Sequence, residues 1–183
     1  MERVSYNNSI IKMRMKKQII KKEIHNMVKI ISDSTCDLSP ELIAKYDIDI
    51  LPLHILLGED EYEDGKNITP EQIYSWSDEN KTTPNTSAPS LTDAIELFKP
   101  YIDEGREIVC FSISSSMSTS GNVMRIAAEE LEAEDRITVI DSANLSTGIG
   151  LLVREAAIMA QKDHTAAEIV SAVEALKPNV RAS

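Results

Sequence analysis

The chain has 183 residues, 42% of them hydrophobic, enough for one domain with a substantial core. Aromatics are only 4%, so the core must be aliphatic, and few platforms remain on which bases or sugars could stack. The net charge of −11 is unevenly spread: residues 1–26 hold seven basic and two acidic side chains (+5), the remainder 12 and 28 (−16), and a body that acidic excludes nucleic acid as a partner and points to a soluble cytoplasmic protein.

The basic leader intersperses Ile and Met with Lys between Ile10 and Lys22, as a surface-seeking amphipathic segment does. It lacks the apolar run of a signal peptide, and Met27 opens directly onto the first apolar stretch, so residues 1–27 are expected to be a non-native or disordered extension. No run reaches the roughly 18 apolar residues of a membrane helix, and no integral membrane contact is expected.

Val28 to Ser32 reads as a short apolar strand ending at Asp33-Ser34-Thr35-Cys36-Asp37. Ser39-Pro40-Glu41 then supplies an N-cap, a first-turn proline and a first-turn acid for a helix. Ile48 to Leu57 is an aliphatic run broken by Pro52, which predicts an edge or bulged strand. Turns are predicted at Gly58-Glu59-Asp60 and at Tyr62-Glu63-Asp64-Gly65. Thr69-Pro70-Glu71-Gln72 opens a helix running to about Asn80. A hydroxyl-rich loop, Thr82 to Ser90, follows it, and Ser90-Leu91-Thr92-Asp93 is a capping box for a helix to about Glu104.

Arg106 to Phe111 is the most continuous apolar run of its length and predicts a central, buried strand. A second hydroxyl-rich loop, Ser112 to Asn122, leads into a helix from Ser120 to Glu132. Ile137 to Ile140 is a strand closing on Asp141-Ser142, helices follow over Leu151 to Gln161 and Ala166 to Leu176, and Val180 opens a further strand.

Strands alternating with helices predict an α/β fold with a mainly parallel sheet and helices on both faces. Ligands bind such sheets beyond the carboxyl ends of the strands. Asp33-Ser34, Ser114-Ser115 and Asp141-Ser142 each follow a strand, so they are expected along one edge. Hydroxyls at the start of a helix, beside its unpaired first amides, can hold a phosphate or a carboxylate without a catalytic base. Ser and Thr are also the preferred N-caps, and a lone hydroxyl-rich loop needs no ligand to explain it. Two such loops on one chain favour a site.

Other chemistries fit poorly. A serine hydrolase needs its nucleophile on a strained elbow with a base in reach, and no Gly-x-Ser-x-Gly occurs. Asp33 with Asp37 lacks the intervening Asp of an aspartyl phosphotransferase loop, and Asp33 is expected to cap the turn after it. There is no Gly-x-x-x-x-Gly-Lys, and Gly148-Ile149-Gly150 is too short for a dinucleotide signature. Cys36 and Cys110 are isolated thiols, and His25, His54 and His164 have no ligand spacing, so no metal is expected.

Five motifs in order carry a family resemblance: Lys29-Ile30-Ile31-Ser32-Asp33-Ser34-Thr35-Cys36-Asp37-Leu38; Ile50-Leu51-Pro52-Leu53; Pro84-Asn85-Thr86-Ser87-Ala88-Pro89-Ser90; Ser114-Ser115-Ser116-Met117-Ser118-Thr119-Ser120; and Asp141-Ser142 with Gly148 and Gly150. From Val28 to Ser183 the chain resembles the DegV family of bacterial fatty-acid-binding proteins. The resemblance implies a two-domain α/β protein that buries one long-chain fatty acid and, in some members, presents its carboxylate to a fatty acid kinase. It implies no catalytic residue, no metal and no cofactor other than the bound fatty acid.

By that resemblance Thr86 and Ser115 hydrogen-bond the carboxylate, with Ser87, Ser114, Ser118, Asp33 and Ser34 supporting the head-group site. It also makes residues 28–183 an N-terminal lobe without its C-terminal partner, so that the tail is only partly enclosed and the ligand is held weakly. A buried C16–C18 tail would contribute on the order of 12 kcal/mol at about 0.8 kcal/mol per CH₂, so the tail supplies affinity and the hydroxyls orientation. The alternative reading is a phosphate- or nucleotide-binding enzyme domain of the doubly wound α/β type.

Overall fold

The computed structural model describes residues 28–181, and the predicted leader lies outside them. In chain order the elements are β1 (Lys29–Asp33), α1 (Pro40–Tyr46), β2 (Ile48–Leu51), β3 (His54–Leu57), β4 (Asp60–Glu63), α2 (Pro70–Asn80), β5 (Asn85–Ser87), α3 (Leu91–Asp103), β6 (Ile108–Ser112), α4 (Ser120–Glu130), β7 (Ile137–Asp141), α5 (Thr147–Ala160) and α6 (Ala166–Leu176). Four of the strands form an all-parallel sheet in the order β2-β1-β6-β7. The expected α/β architecture, with helices on both faces, is the observed one.

Every residue of β1 and of β6 is buried, because both faces of the sheet are covered. Ile30, Val109 and Phe111 pack on one face under α5 and α6, and Ile31, Ile108 and Cys110 on the other under α3 and α4. Each fully buried aliphatic contributes roughly 1.5–3 kcal/mol. Small residues let the helices approach a core poor in aromatics: Ala127 and Ala128 in α4, Ala156, Ala157 and Ala160 in α5. The predicted central strand is therefore β6, between β1 and β7.

The aliphatic run from Ile48 to Leu57 is two strands in two sheets. Pro52 has no N–H to donate, so β2 stops there as an edge of the parallel sheet, while β3 becomes the middle of a separate antiparallel sheet in the order β4-β3-β5. The structure has β4 and β5 where the sequence predicts turns at Gly58-Glu59-Asp60 and Tyr62-Glu63-Asp64-Gly65 and a loop from Thr82 to Ser90. β5 is polar and exposed throughout and β4 is exposed at Asp60 and Glu61, and the backbone of β3 makes them strands rather than any apolar pattern of their own.

The predicted helix starts hold where a cap defines them. Ser39 Oγ accepts from Leu42 N–H, and Thr69 with Gln72, Ser90 with Asp93 and Thr165 with Glu168 each form a reciprocal capping box. One start differs: α5 begins at Thr147 instead of Leu151, taking Gly148 and Gly150 into its first turn. A Cβ at Gly150 would lie 2.5 Å from the Cys36 carbonyl oxygen, so a glycine lets this helix sit against the turn after β1. Val180 is extended and its carbonyl accepts from Asn144 Nδ2 at 2.9 Å, with no strand at this point among the described residues.

Candidate functional site

Because the four strands run in parallel, the ends of β1, β6 and β7 share one edge of the sheet, as expected. There the loop leaving β6 is gripped from both sides. Asp33 Oδ2 accepts from Ile113 N–H at 2.8 Å and from Ser120 Oγ at 3.0 Å, while Asp33 Oδ1 takes the Thr35 hydroxyl at 2.6 Å. On the other side, Asp141 Oδ1 accepts from Ser115 N–H at 3.3 Å and from Ala143 N–H at 2.9 Å.

The amides from Ser114 to Ser118 are bonded as well. Ser114 N–H donates to the Asn144 carbonyl, Ser116 N–H to Ser114 Oγ, and Met117 and Ser118 N–H to the Ser114 carbonyl. At the start of α4, Ser120 N–H donates to Ser118 Oγ. The amides from Ile113 to Ser118 are thus bonded inside the protein. What the loop offers a ligand is its hydroxyls.

Those hydroxyls face β5 across an open cleft of about 710 Å³, within the range of about 300–1,000 Å³ usual for small-ligand sites. It is lined by Thr86, Ser87 and Ala88 on one wall, by residues 115–119 on the other, and by Leu53 and Ile113. Four of the seven expected site residues, Thr86, Ser87, Ser115 and Ser118, therefore share one cavity. Thr86 pairs with Ile55 and Ser87 with His54, so the two side chains leave β5 on opposite faces.

The other three do not line it. Asp33 is fully buried beneath the loop, Ser34 Oγ accepts from Leu53 N–H at 3.1 Å, and Ser114 Oγ pairs with Ser116 Oγ at 2.9 Å. They brace the walls. Sequence reasoning passed over Ser116, Met117 and Thr119, although all three lie in the hydroxyl-rich loop. It also passed over Leu53, whose place in the cleft depends on where β3 crosses.

The lining residues carry no charge. Burial pushes the Asp33 carboxyl above its ordinary value, against the pull of its hydrogen bonds from Thr35, Ile113 and Ser120. Burial also pushes Asp141 up, but the Ser115 hydroxyl, the Ala143 and Ser115 amides and the Lys177 charge together hold it below the usual range. Behind β5, His54 bridges Glu61 through Nδ1 at 2.5 Å and Asp93 through Nε2 at 3.0 Å. Among the described residues no cluster of His, Cys, Asp and Glu could hold a metal, and no helix is long and apolar enough to cross a membrane.

The chain is a parallel α/β domain with a hydroxyl-walled cleft at the carboxyl edge of its sheet, where such sheets take ligands. The chain belongs to the DegV family, whose model, described as one of uncharacterised proteins, matches residues 27–183. A DegV domain-containing protein of Clostridium perfringens is 43% identical over 130 residues, covering 71% of this chain and 46% of that protein. A stearic acid-binding protein of Eubacterium ventriosum superposes with a TM-score of 0.74 at 33% identity, over 81% of this chain and 52% of the other. A DegV family protein of Thermus thermophilus, described by its fatty acid binding, gives a TM-score of 0.76 at 26% identity, over 83% and 54%. The chain spans about half the length of the curated relatives it matches.

Proposed function

We propose that the chain binds a long-chain fatty acid and holds its carboxyl group between Thr86 and Ser115, acting as a carrier and not as a catalyst. The observation that carries this reading is the pairing of two hydroxyl-bearing walls around one uncharged cleft. A phosphate site would call on a row of free amides and on Lys or Arg; the described lining has no Lys or Arg, and its amides from Ser115 to Ser118 are already bonded. Hydroxyls suit a carboxyl group, which needs few donors, and Leu53, Ile113 and Met117 give the first methylenes an apolar surface. The stearic acid bound by the Eubacterium ventriosum protein supports the same ligand class.

The tail needs a longer apolar cover than these three side chains. In a protein of the relatives' length the second half would provide it, and presentation of the carboxyl group to a fatty acid kinase belongs to the same reading. The test is stearate binding by the full chain and by Thr86→Ala and Ser115→Ala. Each substitution is expected to cost roughly 1.5–3 kcal/mol, as loss of a charge-assisted hydrogen bond does. Unchanged affinity in both variants would reject the assignment, and stabilisation by ATP or phosphate with none by stearate would favour the nucleotide reading.

A further inference from the structure

We infer that Asp141 is a positioning residue of this site, acting on the ligand's carboxyl group through Ser115; the inference rests on the fatty-acid reading above. Asp141 closes β7 directly beside Ser112, the last residue of β6, so its carboxylate stands where the hydroxyl-rich loop departs. From there one oxygen, Oδ1, accepts the Ser115 N–H at 3.3 Å and the Ala143 N–H at 2.9 Å, tying the loop after β6 to the loop after β7.

The grip falls on the residue whose hydroxyl the site uses, and that hydroxyl itself stands close enough to Asp141 to favour its charged form, so a ligand would take it over from the carboxylate. Ile113, two residues earlier, is held in the same way by Asp33 at the end of β1. Two carboxylates from the strands flanking β6 thus hold alternate amides of one loop, and Ser114 between them donates to the Asn144 carbonyl at 3.0 Å. Asp141 does not line the cleft, so its effect on a ligand passes through the loop. Displacing a hydroxyl by even part of an ångström weakens a hydrogen bond whose useful range is only about 2.5–3.0 Å.

The experiment separates position from charge. Asp141→Asn and Asp141→Ala both remove the negative charge, but only Asn keeps an oxygen to accept the two N–H groups. Binding of [1-¹³C]stearate is measured for the full chain with each substitution, in the presence of Ser115 and again with Ser115→Ala, and the ¹³C carboxyl shift is recorded in each complex. With Ser115 present, Asp141→Ala should bind about fivefold more weakly than Asp141→Asn, the factor a modest hydrogen bond supplies. Its carboxyl signal should move away from the wild-type position, whereas that of Asp141→Asn should stay close to it.

With Ser115→Ala the two Asp141 variants should bind alike, since no hydroxyl is left to position. A ratio that persists without Ser115, or affinities that are equal with it, would overturn the assignment of Asp141 alone. If Ser115→Ala by itself changes nothing, the carboxyl reading of the cleft falls as well. Should Asp141→Ala fail to fold, Asp141→Ser, too short to reach the Ser115 amide, takes its place in the same comparison.

Discussion

The buried carboxylate of Asp33 accepts the backbone N–H of Ile113, 80 residues further along the chain, at 2.8 Å. One hydrogen bond thereby joins the ends of β1 and β6, at the base of the cleft. Asp33→Ala would orphan that amide in a water-poor interior, at a cost of about 1–3 kcal/mol before any loss of packing. Asp33→Asn keeps an acceptor for it and should be milder. Because burial raises the Asp33 carboxyl, the unfolded chain ionises first as pH rises, so its contribution is fully present below the ordinary value of 3.8 and declines through the raised one. Urea unfolding of the three proteins across that range should show the decline in wild type and not in Asp33→Asn.

His54 gives the opposite flank of the site a pH dependence at higher pH. The Glu61 carboxylate first, and Asp93 after it, raise the imidazole above its ordinary 6.5, against the effect of burial. A base whose value is raised on folding stabilises fully below its unfolded value and loses that contribution as pH climbs through the folded one. Stability should therefore fall as pH rises from 6.5, and His54→Gln should flatten the slope. An equal slope in the variant, measured by urea midpoints, would exclude the Glu61–His54–Asp93 bridge as its origin.

Gly150→Ala tests packing against propensity. Within a helix this change ordinarily stabilises by up to about 1 kcal/mol. Here the added methyl would meet the Cys36 carbonyl oxygen at 2.5 Å, and backbone cannot turn aside as a side chain can. The variant should instead lose about 1–3 kcal/mol, the usual cost of overpacking. A rise in melting temperature would show that α5 can shift off the Ser34–Cys36 turn.

The two thiols should be inert in the folded protein. Both are buried and unpaired, and burial pushes the Cys110 thiol up to about 12 and that of Cys36 above its ordinary value. Iodoacetamide at pH 8 should label neither until denaturant is added, then both, as mass spectrometry would read directly. Prompt labelling of Cys110 in buffer would mean that β6 opens far more often than its burial implies.

The parallel sheet was legible because its strands are short apolar runs whose order with the helices leaves few topologies, and the polar residues ending β1, β6 and β7 then had to share an edge. The walls of the cleft were legible as hydroxyl-rich stretches. That Asn85-Thr86-Ser87 is a strand was not, since nothing in three polar residues announces pairing and only the arrival of Leu56, Ile55 and His54 beside them creates it. The role of Asp141 was hidden for a similar reason. Its partner Ser115 lies 26 positions away and is reached only through the β6–β7 register.

The two walls of the cleft also differ in how long they last. Ser115 departs from β6, at the heart of the molecule, while Thr86 hangs on a three-stranded patch whose small core is built on Ile55, Leu57 and the neighbouring Ile68, under a helix with no buried residue. Patches of that kind open locally at a fraction of the free energy of global unfolding. The backbone amides of β3 and β5 should therefore trade hydrogen with solvent well before those of β1 and β6, and an occupant touching both walls should slow the faster set more. Deuterium uptake followed with and without stearate would time the two walls separately, and equal protection of both sets would mean that the small sheet and the large one open as a single body.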